Sequence, residues 1–279
     1  MSKAYYNGNF CDESAIRISP RDLGLLRGYA VFDVMPVLRR HPFHADRHHA
    51  RLDFSARTLG LSLAIDGAEF AEIASELSRR SGWENAMVRS VLSGGPSEDG
   101  FRPVPGQENF FMLIEPAHMA DPSHYRDGVS LVTLAYERSL PQVKFANHAV
   151  AIQGLERRDE AGAYETLYVS QGIVSECSQS NLFWVQNGKL FTTWDNTLRG
   201  ITQGLIMELA EIHGRKVAKG SVSLDDLLRA DEVFITGSSK AIVPVVRIDD
   251  HSIGTGKVGP LTRELMTIYQ EYCDQYPGT

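Results

Sequence analysis

The chain has 279 residues, 43% of them hydrophobic and 23% charged, which suffices for two compact globular domains whose cores need no disulfides. A net charge of −7 argues against nucleic acid, for which a basic face is expected, although a few local donors can still hold an anionic ligand. Three cysteines without a Cys-x-x-Cys pair exclude a zinc ribbon and fit a reducing compartment, and no secretion-type apolar core or membrane-length apolar stretch is present, so a cytoplasmic protein without a membrane partner is expected.

In chain order, residues 29–38 combine β-branched and aromatic side chains as a strand does, and 46–59 and 68–80 carry helical periodicity. Asp66 is placed to cap the second helix, with Glu69 at the capping-box spacing. Strands are predicted at 86–92 and 110–115, separated by the polar glycine-rich loop 93–100, a kind of loop that often carries function. The punctuated polar stretch 120–128 reads as a linker. It divides the chain into a smaller N-terminal α/β domain, 1–120, and a larger C-terminal domain, 121–279. The second domain is expected to hold strand 129–136, helix 147–161 and strands 165–170, 182–185 and 189–193, the last two joined by a hairpin turn at Asn187-Gly188. Helices at 202–213 and 224–229, a strand at 232–236 and a closing helix at 261–273 complete an α/β (α+β) two-domain architecture.

Three segments stand out chemically. Lys144 lies between Val143 and Phe145. It is either an ordinary solvated lysine or, in apolar surroundings, an amine whose pKa falls far enough to attack a carbonyl. Glu176 lies in the small-residue run 175–180, read as a turn. It is either a solvated carboxylate or an anion set against a ring nitrogen. Arg199-Gly200-Ile201-Thr202 precedes an amphipathic helix, and the unpaired amides of such a helix start suit a phosphate as well as they suit a plain threonine cap. Ser238, after the strand at 232–236, and Arg51 on the first helix are further candidate anion donors. An amine, an anion and phosphate donors are what a protein supplies to pyridoxal 5'-phosphate (PLP). His44 and His48 have i,i+4 spacing, but no matching carboxylate or histidine motif accompanies them, so they are read as solvated helix residues and no metal site is expected. P-loop and G-x-S-x-G patterns are absent.

With these residues in place the chain resembles the class IV (fold type IV) PLP-dependent aminotransferases, a group that includes branched-chain and D-amino-acid aminotransferases and aminodeoxychorismate lyase. The motifs recur in order from Tyr6-Asn7-Gly8 to Ile253. The resemblance implies that Lys144 of Lys-x-x-Asn is the Schiff-base lysine and that Glu176 faces the pyridine nitrogen. It further implies that Arg51 of His-x-x-Arg-Leu, Ile201, Thr202 and Ser238 hold the phosphate, in a homodimer. Branched-chain enzymes usually show Lys-x-x-x-Asn-Tyr, whereas Lys144 is followed by Phe145-Ala146-Asn147-His148, the shorter spacing of D-amino-acid transaminases and the lyase. The tyrosine and Arg-Gly-x-Ser-Pro-Arg loop of the best-known D-amino-acid enzymes are replaced by Phe32 and Ser93-Gly94-Gly95-Pro96-Ser97. The segment 26–33 resembles a less common branch, some of whose members also accept (R)-amines, and Arg27 and Arg89 are its candidates for a substrate carboxylate or, equally, structural arginines. The expected reaction is amino transfer between a D-amino acid and a 2-keto acid. The alternatives are a PLP lyase and a branched-chain L-amino-acid aminotransferase.

Overall fold

The computed structural model describes residues 3–117 and 120–277, so the outermost residues of both expected domains, and 118–119, lie outside the described residues. The chain separates into two compact units, one of Met1–His118, Val143–Asn147 and Tyr276–Thr279, the other of Met119–Gln142 and His148–Gln275. Among the described residues no helix is long and apolar enough to cross a membrane.

The first unit contains β1 (Ala4–Tyr6), β2 (Asn9–Cys11), α1 (Leu23–Arg27), β3 (Ala30–Leu38), β4 (His41–Pro42), α2 (Ala45–Thr58), α3 (Gly67–Ser81), β5 (Ala86–Ser93) and β6 (Asn109–Pro116). Its strands form an antiparallel sheet in the order β2-β1-β6-β5-β3-β4. Period-2 alternation turns Val31, Met35, Val88 and Met112 into one core, which Leu52 of α2 and Phe70 and Leu77 of α3 complete. Asp33 shares the parity of Val31 and Met35, so a carboxylate is directed at the helix-covered side of the sheet. As the capping box requires, Asp66 accepts a hydrogen bond from the Glu69 amide at 2.9 Å.

The second unit contains α4 (Pro122–Asp127), β7 (Val129–Ala135), α5 (Ala149–Glu160), β8 (Glu165–Ser170), β9 (Ile173–Cys177), β10 (Asn181–Gln186), β11 (Lys189–Thr193), α6 (Ile201–Ile212), β12 (Val217–Gly220), β13 (Val222–Ser223), α7 (Leu224–Leu227), β14 (Glu232–Gly237), β15 (Ala241–Ile248), β16 (His251–Ser252) and α8 (Pro260–Gln275). Its mixed sheet runs β12-β11-β10-β14-β15-β7-β8-β9-β13, with β16 beside β15. Leu131, Leu167, Leu182, Val233, Ile235 and Val243 are buried in its core.

Three expectations need correction. The stretch 120–128 is not plain linker but carries α4, because Asp121 accepts from the Ser123 amide at 2.8 Å and Pro122 suits a first helical position. Residues 175–177 are not a turn but the end of β9, which is paired with β8 on one side and β13 on the other. The segment Val143–Asn147 was placed in the second domain but belongs to the first unit. Phe145 bridges Val31, the Phe32 amide donates to the Lys144 carbonyl (3.0 Å), and the Ala146 amide donates to the Ala30 carbonyl (2.8 Å). β4 pairs only with Val37 and Leu38, so the start of β3 has an edge for this strap to take.

Candidate active site

In the first unit the strap fixes Lys144 from its main chain. Its amide donates to the Ser55 hydroxyl of α2 at 3.1 Å, and its Nζ stands 4.6 Å above the ring of Phe32. The next residue on β3, Asp33, is 1% exposed and receives Arg51 side-on: Nε donates to Oδ2 at 2.8 Å and Nη2 to Oδ1 at 2.9 Å. Arg51 and Ser55 are one turn apart on α2, so one helix sets both the guanidinium and the lysine's main chain.

His48, one turn before Arg51, is fully buried with Nδ1 2.6 Å from Asp33 Oδ1, which corrects its reading as a solvated residue. Burial alone would raise the Asp33 pKa, but Arg51 and then His48 hold it well below the usual carboxylate range. Burial pushes the His48 pKa down, against the pull of Asp33. The consistent arrangement is an ionised Asp33 and a neutral imidazole donating its Nδ1–H. That tautomer leaves Nε2 as an acceptor, and Nε2 is buried without a protein partner. Sequence reading missed Asp33 and His48. The usable sign was an acid at the apolar parity of a core strand.

The substrate candidates lie in the same unit with separate partners. Arg27 ends α1, is exposed, and stacks 4.5 Å over the ring of Phe101. Gly28 caps α1 at φ 64°, a conformation glycine adopts without strain, and a Cβ there would contact that of Asn147 at 3.7 Å. The strap's asparagine therefore packs beside the arginine's helix. Arg89, on β5, reaches Glu115 of β6 at 3.4 Å with both side chains about half exposed.

In the second unit Glu176 is 4% exposed. It accepts from Arg138 Nη1 at 2.7 Å, from the Leu198 amide at 3.1 Å and from Asn181 Nδ2 at 3.4 Å. Asn181 Nδ2 also donates to the Leu198 carbonyl at 2.7 Å, so one amide side chain joins Glu176 to the turn before α6. That approach explains Gly200, since a Cβ there would lie 2.0 Å from Asn181 Oδ1. Gly200 is the N-cap, and Ile201 and Thr202 open the helix with amides that have no intrahelical acceptor. Ser238 follows β14, two residues beyond Thr236, the ladder partner of Asn181. In the second unit Asn181 thus ties Glu176 to the turn before Ile201 and Thr202, with Ser238 on the turn after β14, and in the first unit β3 and α2 set both Arg51 and Lys144.

Each unit offers groups that suit PLP: a lysine amine in the first, and a buried anion and a helix start cleared of a Cβ in the second. With the mixed two-unit fold, they define a PLP-dependent enzyme of fold type IV. The chain belongs to the family described as "Amino-transferase class IV", whose model matches residues 30–248, and it is a PLP-dependent aminotransferase. It is 31% identical over 278 residues to a Methanocaldococcus jannaschii protein assigned as a branched-chain-amino-acid aminotransferase, covering 96% of each chain. It is 29% identical over 275 residues to a D-alanine aminotransferase of Bacillus licheniformis, again covering 96% of each. Among solved structures it is similar to a T.th. branched-chain amino acid aminotransferase with pyridoxamine 5'-phosphate, at a TM-score of 0.89 and 26% identity, covering 97% of this chain and 93% of that one.

Proposed function

We propose that this aminotransferase moves the amino group of D-amino acids, and of (R)-amines, to a 2-keto acid, working as a homodimer in the cytoplasm. The observation that carries the reading is the short Lys144-to-Asn147 strap. Its asparagine ends beside Gly28, which brings Arg27 to the same end of the unit as the reactive lysine. A positioned guanidinium pairs with a substrate carboxylate through a planar fork, and Arg89 is the second candidate for that task.

PLP supplies an electron sink at the substrate's Cα. The chain's residues then divide the work. Lys144 Nζ would bond the coenzyme's aldehyde carbon and, once displaced by the amino donor, take the proton from Cα and hand it on. Glu176 would hold the ring nitrogen's proton, with Arg138, Asn181 and the Leu198 amide fixing its carboxylate. Arg51, Ser238 and the amides of Ile201 and Thr202 would anchor the phosphate and keep the reacting atoms aligned.

The test follows bleaching of the bound coenzyme's visible band on adding D-amino acids, L-amino acids or (R)-amines one at a time, with no keto acid present. Bleaching by D-amino acids and (R)-amines is expected. Bleaching by branched L-amino acids alone would overturn the stereochemical reading in favour of the branched-chain one, which the M. jannaschii relative favours. Release of pyruvate without an acceptor would identify a lyase.

A further inference from the structure

Glu165 opens β8 and is 3% exposed. Its carboxylate accepts from the Gln179 amide, from Ser180 Oγ at 2.8 Å, from Lys240 Nζ at 2.8 Å and, more distantly, from Ser178 Oγ at 3.4 Å. Lys240 is 8% exposed, and its carbonyl accepts the Tyr125 hydroxyl at 3.1 Å. Burial alone would lower the lysine's pKa, but Glu165 and Tyr164 raise it beyond its ordinary value, so the lysine is held as a cation.

The donors come from two separate turns. Residues 178–180 lie between β9, which ends one residue past Glu176, and β10; residues 238–240 lie between β14 and β15 and include Ser238. The β10–β14 ladder stops at Asn181 opposite Thr236, so both turns overhang the paired backbone. They meet directly: a Cβ at Gly237 would sit 3.4 Å from the Gln179 carbonyl. A buried ion pair is a costly way to stabilise a core compared with apolar packing, but it fixes geometry. Here its two charges stand 75 residues apart in sequence, Lys240 on one turn and Glu165 on β8, where it holds the other turn.

We propose that Lys240 and Glu165 are positioning residues that lock the turn after Glu176 to the turn bearing Ser238, and so set the span between the group facing the coenzyme's ring nitrogen and a group holding its phosphate. This rests on the roles proposed above for Glu176 and Ser238. Neither positioning residue needs to touch the coenzyme. Lys240 acts through the Ser238 turn, and Glu165 acts through the amide of Gln179 and the hydroxyl of Ser180.

The test compares the PLP-loaded enzyme with Lys240→Met, Lys240→Arg and the double variant Glu165→Gln/Lys240→Met. Three readouts are taken: the PLP dissociation constant by titrating the apoprotein, the pH midpoint of the bound coenzyme's visible band, and thermal unfolding of the apoprotein. Lys240→Met is expected to weaken PLP binding by about 10-fold to 100-fold, the scale for a reacting group misplaced by about 1 Å, and to shift the pH midpoint. Lys240→Arg should restore both. The double variant removes both charges, so it should recover the apoprotein's thermal stability but not the coenzyme readouts, and it serves if Lys240→Met fails to fold. Unchanged affinity and midpoint in folded Lys240→Met or in the folded double variant would overturn the proposal. So would coenzyme readouts that return to wild type along with stability in the double variant, because a purely structural pair behaves that way. A wild-type protein with no PLP-dependent band would instead defeat the coenzyme roles on which the proposal rests.

Discussion

Asp33 in the first unit and Glu165 in the second are both buried carboxylates saturated by hydrogen-bond donors, but they act on their sites in different ways. Asp33 clasps Arg51 itself, the residue proposed to meet the phosphate, through both edges of one carboxylate. Glu165 leaves Ser238 untouched and holds its turn through Lys240. In the first unit the cation is therefore neutralised before any ligand arrives, so Arg51 would offer a phosphate oriented N–H donors more than a bare charge. In the second unit the groups proposed to hold the phosphate are backbone amides and a hydroxyl, which need placing but no counter-charge. A charged donor is held by direct pairing, and a neutral donor by anchoring the loop it sits on.

The largest effect should come from Lys144→Ala, which removes the proposed proton carrier while its main-chain strap remains. Transamination should fall by about 10^4-fold, the upper end for a positioned proton-transfer group, with thermal unfolding barely changed. Substantial turnover in that variant would break the division between reactive group and seat. Borohydride reduction followed by peptide mapping should place the PLP adduct at position 144.

Asp33→Asn should show the opposite pattern, with a cost of about 3–5 kcal/mol in unfolding free energy from leaving Arg51 half paired. The pH dependence has a definite sign. The Asp33 pKa is depressed in the fold, so its contribution is complete above the ordinary carboxylate pKa of about 4 and is lost as pH falls below it. Asp33→Asn should flatten the stability–pH curve in that acid range. His48 is held neutral, so stability should also begin to fall as pH drops through about 6.5, and His48→Gln should remove that component.

Much of this fold is written in local pattern. The helix at 68–80 was legible because Asp66 and Glu69 are three residues apart and cap the same turn. The Asn187-Gly188 hairpin and the strand at 86–92 were legible because alternation and turn chemistry are short-range properties. β9 was not, because Ser175, Glu176 and Cys177 look like a turn until Cys177 pairs with Leu167 of β8. Motifs single out Lys144, Glu176 and Arg51 as candidates, but not the neighbours that hold them. Asp33 and His48 are 15 residues apart, Glu176 and Arg138 are 38 apart, and only the folded chain brings them together.

Gly200→Ala gives an intermediate effect that sharpens the contrast on the second unit's side. The added methyl meets Asn181 Oδ1, so the turn before α6 must shift. The expected result is about 1–3 kcal/mol of overpacking, read by thermal unfolding, together with weaker PLP retention on dialysis. An unchanged dialysis half-life would remove the helix start from the phosphate site. The smallest effects are expected from Arg27→Ala and Arg89→Ala. Whichever arginine holds the substrate carboxylate should raise KM by about 10-fold, as for one charge-assisted hydrogen bond, with PLP binding unaltered. If neither changes KM for a D-amino acid, both are structural.

The strap at Val143–Asn147 has a consequence for recombination between relatives. A chimaera spliced near residue 120 would take its lysine from one parent and the β3 edge that seats it from the other. Two of the seating bonds join main chain to main chain and are indifferent to parentage, while the third needs a hydroxyl at Ser55. Grafts between distant homologues should therefore keep the lysine in register wherever the recipient helix retains serine or threonine there, so interchange of whole halves is open to this architecture.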